Sequence, residues 1–170
     1  HDVDAACTYL EAQKTIDDAA VRAVMEQFTA NNPNASDINV GFENKEFIDG
    51  TGWYPDAGWE CTGRPWYTDA IAAGGEKYFG NPYVDAVTGN MIISVSKSFK
   101  TASGLEGVVN MDLMLSTLFE MMTEMVDSSD GGYGFLVNED GIVLMHPNSD
   151  YMASEDVEYS TADILDGAYE

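Results

Sequence analysis

Met91-Ile-Ile-Ser-Val-Ser-Lys-Ser-Phe99, then Thr101-Ala-Ser-Gly104, then Leu105-Glu-Gly-Val-Val-Asn-Met-Asp112-Leu113 reads as two strands joined by a turn. Side chains alternate across a strand, so Ser94, Ser96 and Ser98 share one face. Thr-Ala-Ser-Gly is turn chemistry. Lys77 to Tyr83 is a third extended segment, set off by the turn Asp85-Ala-Val-Thr-Gly-Asn90, and the three make an antiparallel meander. No β-α-β alternation and no Gly-rich phosphate loop accompany it. The class is therefore α+β with an antiparallel sheet, and a nucleotide-binding α/β fold is disfavoured.

Upstream, Asp4 to Asn31 reads as helix, with Ala19, Val21, Val24, Met25 and Phe28 on one apolar face. Thr15 is placed to cap a second segment, with Asp17 and Asp18 in its first turn, where the helix dipole favours acids. Asn31-Asn-Pro-Asn-Ala-Ser36 stops the helix. Ile38 to Phe42 alternates as a strand, and Glu43-Asn-Lys-Glu46 turns into Phe47-Ile48. Downstream, Leu113 to Met125 reads as a helix, with Leu115, Leu118, Met121, Met122 and Met125 as its apolar side. After a junction at Val126 to Gly132, Tyr133 to Pro147 is a hairpin around an Asn-Glu-Asp-Gly turn. It restarts the β pattern as the opening of a second, similar unit. Asp150 to Glu158 reads as a polar loop. The chain begins and ends as an excised domain would, and His1-Asp-Val-Asp4 is not the basic start of a signal peptide.

Thirty acids against seven bases give a net charge of −23, which repels phosphate backbones and anionic lipid. That argues against nucleic-acid and peripheral membrane binding. A hydrophobic content of 45% over 170 residues supports a packed core and argues against disorder. No apolar run reaches the roughly 18–20 residues of a membrane span. Cys7 and Cys61 are either one disulfide or two buried thiols, and no Cys/His cluster points to zinc.

Between the first strands and the meander lies a Gly/Pro/aromatic loop, Asp49 to Glu60, leading into Cys61-Thr-Gly-Arg64-Pro-Trp-Tyr67. Long loops in compact domains are often functional. Proline suits the first turn of a helix, which places Arg64 at the mouth of a short helix running to Gly74-Gly75. An arginine fork beside aromatic rings holds a carboxylate well. A packed corner explains the same residues, so both readings stand on this stretch alone. Asp112 sits in an otherwise apolar strand, where a carboxylate either caps the next helix or meets a cation. Tyr83 and Asp85 flank an ordinary β-turn. His146 lacks partners for a metal set and reads as structural. The strand serines lack a nucleophile elbow, and no pair of acids is spaced for glycoside chemistry.

Arg64-Pro-Trp-Tyr67, Asn81-Pro-Tyr83-Val-Asp85-Ala-Val-Thr-Gly89, Ile92-Ile-Ser-Val-Ser96 and Gly107-Val-Val-Asn-Met-Asp112-Leu113, in that order, resemble the double Cache sensor domains. These are extracytoplasmic ligand-binding regions of chemoreceptors and sensor kinases. Val40-Gly-Phe-Glu43 and Gly132 to Pro147 extend the resemblance over nearly the whole chain. It implies a long N-terminal helix (1–30), a membrane-distal PAS-like module holding the ligand (31–125) and the start of a truncated membrane-proximal module (126–170). The parent protein is then membrane-anchored, with a homodimer through the N-terminal helix as a possible partner arrangement. Resemblance to the amino-acid-binding subset implies that Arg64 and Trp66 take the ligand carboxylate while Tyr67, Tyr83 and Asp112 surround its ammonium. Trp59 stands where that subset usually has tyrosine; an indole donates one hydrogen bond and accepts none. No catalytic residue, metal or cofactor is implied. Alternatives are a carboxylate, amine or purine ligand in the same fold, serving a sensor kinase or cyclase, an acid-using hydrolase, and a scaffold without a ligand.

Overall fold

Two helices precede the sheet, α1 (Asp2–Glu11) and α2 (Asp18–Asn31), so the helical stretch is divided near the expected second segment. The break has a local cause. Asp17 adopts extended backbone and its carboxylate accepts the N–H of Ala20 at 3.1 Å, so Asp17, not Thr15, starts a new helix. The turn between them is tied down where the Ala102 N–H donates to the Gln13 carbonyl. The computed structural model describes residues 1–85, 89–126, 132–138, 140–151 and 159–164.

The chain packs as two compact units, His1–Gly80 with Ile93–Leu113, and Asn81–Ile92 with Met114–Glu170. The strands are β1 (Ala35–Phe42), β2 (Phe47–Asp49), β3 (Lys77–Phe79), β4 (Tyr83–Val84), β5 (Met91–Lys100) and β6 (Glu106–Met114), with α3 (Pro65–Ala72) between β2 and β3. Their order is β2-β1-β6-β5-β3, and β4 pairs with the start of β5. The expected meander is present, but its first segment is divided into β3 and β4. The β1–β6 pairing is antiparallel, with Val40 opposite Val109 and Asp37 opposite Asp112.

Alternation along these strands gives the sheet two different faces. Ile38, Val40, Phe42, Val95, Phe99 and Val109 join Val3, Leu10, Val21 and Met25 in one apolar core beneath α1 and α2. The register then puts Asp37, Asn39, Gly41, Ser94, Ser96, Val108, Asn110 and Asp112 on the opposite face. There Val108 packs with Cys61, Trp66, Tyr67 and Ala70 under α3. The two cysteines are free and buried, Cys7 in the first cluster and Cys61 in the second. Burial pushes the Cys7 thiol up to about 12, well away from a reactive thiolate. Asp4 pins α1 to the sheet edge through Lys77 at 2.6 Å and Lys97 at 3.1 Å.

In the second unit, α4 (Leu115–Met125) begins two residues later than its pattern suggests, because β6 keeps strand geometry to Met114. The expected hairpin forms from β7 (Leu136–Val137) and β8 (Val143–Met145), and α5 (Thr161–Ile164) follows. His146 is buried against the rings of Tyr133, Phe135 and Tyr151, and its Nδ1 accepts the Asn148 N–H at 2.9 Å. The centre of the Asp85 to Asn90 turn, most of the junction after Val126, Glu139 in the hairpin turn and most of the Asp150 to Glu158 loop lie outside the described residues.

Gly41 lets α3 approach the sheet. A Cβ there would come within 2.9 Å of Cys61 Sγ and 3.0 Å of Trp66 Cη2, against side chains that are themselves buried. Gly41→Ala is expected to cost about 1–3 kcal/mol by overpacking. Chemical denaturation checks this, with Gly63→Ala, which meets nothing within 4 Å, as the control.

Candidate functional site

Arg64 is delivered by a 3-10 turn at Cys61–Gly63 and sits at the N-cap of α3, with Pro65 in the first helical position. Its backbone is extended, and its carbonyl accepts the N–H groups of Tyr67 and Thr68. The side chain therefore leaves the helix axis at its open end. The guanidinium lies 5.2 Å from the centre of the Trp59 ring. Arg64 is exposed, and among the described residues it makes no ion pair. Trp59 is held by Phe47 at 4.7 Å and Trp53 at 5.5 Å between ring centres. The aromatic loop thus folds back into a small cluster whose outer wall carries the arginine.

Trp66 and Tyr67 turn inward, 8% and 6% exposed, with their rings edge to face at 5.7 Å. The two aromatics form the packed corner, and the arginine lies outside it without the acid partner that a packed corner suggested, among the described residues. Burial raises the Tyr67 phenol to about 12, so it remains a neutral hydrogen-bonding group.

Asp112 does not cap α4. The residue before that helix is Met114, with no side-chain cap, and Asp112 lies within β6. It is 8% exposed, and its Oδ1 accepts Ser94 Oγ–H at 2.7 Å and Asn110 Nδ2–H at 3.0 Å. It shares the face of Val108, which α3 covers, about 13 Å along the strand at roughly 3.3 Å per residue. Tyr83 belongs to the second unit, where it pairs with Ile92 on the edge strand β4. Trp59 with Arg64, and Trp66 with Tyr67, are thus brought into contact, while Asp112 lies four residues along β6 from Val108, on the same face but not among the residues packed under α3.

Sequence reasoning missed how polar that face is. Asn39 lies opposite both Asn110 and Asp49, and Asp37 lies opposite Asp112. Ser96 donates to Asn110 Oδ1 at 2.8 Å. Asp49 is buried, and its Oδ1 accepts the N–H of Thr51 at 2.7 Å and of Trp53 at 3.0 Å, anchoring the aromatic loop. Asp37 Oδ1 accepts the Gly50 N–H at 3.2 Å, and its Oδ2 accepts Asn39 Nδ2–H at 2.6 Å. Burial pushes the Asp37 carboxyl up to about 8, and the charges of Asp49 and Asp112 add to this. The signal was available: Asp37-Ile-Asn39 and Asn110-Met-Asp112 each put a polar residue on every second position. Among the described residues no group of acids, histidines or cysteines is arranged to hold a metal ion, and no helix is long and apolar enough to cross a membrane.

The sequence matches the family model of the Cache domain over residues 3–168. It is 30% identical over 128 residues to the methyl-accepting chemotaxis protein McpB of Bacillus subtilis, covering 75% of this chain and 19% of that protein. The chain therefore spans about a fifth of that relative's length. Among solved structures, the fold matches the ligand-binding domain of the Pseudomonas fluorescens chemoreceptor CtaA in complex with L-serine. There the TM-score is 0.77 at 28% identity, over 96% of this chain and 67% of that one. It also matches the ligand-binding domain of the Pseudomonas aeruginosa amino acid chemoreceptor PctC in complex with GABA. That TM-score is 0.76 at 27% identity, over 98% and 70% of the two chains.

The raised Asp37 carboxyl fixes the sign of a pH effect. The folded chain holds a proton that the unfolded chain, with a carboxyl near 3.9, releases. Stability from this group is complete below about pH 4 and is lost as pH rises to about 8. Ligand-free protein is expected to lose stability across pH 5 to 8 relative to Asp37→Asn, with a slope of at most about 1.4 kcal/mol per pH unit. Urea midpoints of both proteins, measured across that range, check this; parallel profiles would contradict it.

Proposed function

The chain belongs to the Cache domain family, and from that premise we propose that it is the extracytoplasmic sensor domain of a transmembrane chemotaxis receptor and binds a free amino acid. The observation that carries this is a buried carboxylate, Asp112, on the sheet face whose Val108 end is covered by the helix bearing Arg64. A zwitterion needs an anion holder and a cation holder. Arg64 supplies a bidentate fork for the ligand carboxylate, and its stacking on Trp59 limits the freedom lost on binding. Asp112, already oriented by Ser94 and Asn110, takes the ammonium. Trp59, Trp66 and Tyr67 supply walls, and aromatic faces add cation–π attraction of about 0.5–2 kcal/mol.

In this reading residues 31–125 form the membrane-distal ligand-binding module and 126–170 begin the membrane-proximal one. The ligand shifts a population of conformers, and the N-terminal helices pass the shift toward the membrane. The role is binding and signalling, not catalysis. Amino-acid complexes of structural relatives support the ligand class. A second reading, a purely cationic ligand such as an amine, is favoured by the acid-rich face and differs in needing Asp112 but not Arg64.

A thermal-shift screen against the twenty amino acids is expected to find ligands that stabilise the domain by about 2.7 kcal/mol at a hundredfold excess over the dissociation constant. Arg64→Ala and Asp112→Ala should each abolish the shift. No shift with any amino acid, or shifts that survive both substitutions, would sink the reading. Loss in Asp112→Ala alone, with amines as ligands, would favour the second.

A further inference from the structure

Asp37 and Asp49 are neighbours across β1 and β2, where Asn39 pairs with Asp49. The Asp37 carboxyl hydrogen-bonds the Asp49 carboxyl. Ionised carboxylates accept hydrogen bonds and cannot donate them, so this bond needs a proton. Both acids also accept bonds from the chain beside them. Asp37 takes the Gly50 N–H at 3.2 Å and the Asn39 amide at 2.6 Å. Asp49 takes the Thr51 N–H at 2.7 Å, the Thr51 hydroxyl at 2.6 Å and the Trp53 N–H at 3.0 Å.

These bonds lie at the root of the aromatic loop. Gly50, Thr51 and Trp53 are among its first residues, so the two acids hold the loop by its own backbone. The chain has no slack at this point: a Cβ on Gly50 would stand 2.5 Å from the Ile38 carbonyl and 2.8 Å from the Met25 carbonyl. Further along, Trp53 meets Trp59 edge to face at 5.5 Å, and the Trp59 ring carries the Arg64 guanidinium at 5.2 Å. A chain of contacts thus runs from the proton between two acids to the arginine, and all of it lies within the first compact unit.

We propose that Asp37 is a positioning residue for the binding arginine: the proton it shares with Asp49 latches the aromatic loop to β1, and loss of that proton releases Trp59 and Arg64 from their seat. The effect on a ligand rests on the amino-acid reading; the latch does not. The groups around Asp37 are Asp49 on β2, Asp112 on β6 and the Asn39 amide on its own strand. On α2, Arg22 donates to the backbone carbonyl of Asp49 at 3.2 Å. Burial holds the Asp37 proton up to about 8, and the charges of Asp49 and Asp112 add to this. Below that pH the latch is closed. Above it two adjacent carboxylates repel, and the Gly50 corner opens. If only the latched loop binds, ligand affinity falls about fourfold from pH 7 to 8.5, the change in the protonated fraction of one such group.

The three tryptophans, Trp53, Trp59 and Trp66, belong to the loop and the corner beside it, so tryptophan fluorescence reads this region alone. The experiment follows emission and acrylamide quenching of the whole 170-residue chain, without ligand, from pH 6 to 9.5. Wild type should show a red shift and easier quenching with a midpoint near pH 8. Asp37→Asn keeps one acceptor and gives Asp49 a permanent N–H donor, so its emission should stay flat. Asp49→Asn keeps the acceptor for Thr51 and Trp53 and removes the neighbouring charge, so its step should move to lower pH by about one unit or more. No step in wild type overturns the proposal, as does the same step in both variants. Titration calorimetry with L-serine, L-alanine and L-glutamine at pH 7 and 8.5 then reads the consequence. Affinity should fall about fourfold in wild type and stay nearly level in Asp37→Asn. A fluorescence step without that loss overturns the positioning role and leaves the amino-acid reading standing. If none of the three binds at pH 7, that result counts against the amino-acid reading, and the fluorescence step alone decides the latch.

Discussion

The antiparallel register of β1 against β6 is the constraint on which the rest depends. Side chains alternate with a period of two, so a slip of one residue would exchange the faces of the strand. Ile38, Val40 and Val109 would leave the core under α1 and α2, and Asp37, Asn39 and Asn110 would enter it. Burying those polar groups in an apolar core would cost several kcal/mol. The apolar core therefore fixes the register, and the register in turn fixes which polar groups gather on the other face. The candidate site is the reverse side of the core that folds the domain.

The same pairing explains how α3 is seated. Gly41 opposite Val108 leaves a shallow place on the polar face, filled by Cys61 and the Trp66 ring. Once Trp66 is locked there, the helix start is locked, and Arg64 at its N-cap is positioned without any hydrogen bond to its own guanidinium among the described residues. Asp49 does the corresponding work for the loop, gathering the N–H groups of Thr51 and Trp53 so that Trp53 and Trp59 meet. Rigid, buried groups hold an exposed one in place, which is how a binding residue is kept ready at low entropic cost.

Much of the sheet was legible because its signals are local. Alternation marked β5, β6 and the hairpin of β7 and β8, and turn residues marked their connections. Arg64, Trp66 and Tyr67 were legible as a helix start because proline suits that position. The misses came from competition between neighbouring elements. The helical pattern of Asp4 to Asn31 continues through Ile16, but the Asp17 carboxylate on the Ala20 N–H offers the backbone an alternative that periodicity does not register. A helix cap was one of two open readings of Asp112 because Leu113 and Met114 suit a helix as well as a strand; cross-strand pairing of Leu113 to Ala35 and of Asp112 to Asp37 decided for the strand. The polar face went unread because it is assembled from four strands. Each strand contributes only one or two polar residues, and pairing order, not sequence, brings them together.

That face also breaks a rule the rest of the chain obeys. Elsewhere the described acids pair with lysines, cap helices or meet solvent, as Asp4, Glu60, Glu106 and Asp17 do. On the covered side of the sheet, Asp37 opposes Asp112 and neighbours Asp49, with an amide oxygen left over. A net charge of −23 makes this worse, since the surrounding field disfavours further ionised acids. Both of Asp37's hydrogen bonds to Gly50 and Asn39 are accepted by its carboxylate, so a neutral replacement must still offer acceptors there. Local inconsistency of this kind is expected at sites of function, where a group is kept for what it does with a ligand and not for the empty fold. The arginine side of the site supplies no comparable conflict, being exposed and supported by a ring. The conflict is concentrated on the polar face of the sheet, where Asp37, Asp49 and Asp112 neighbour one another.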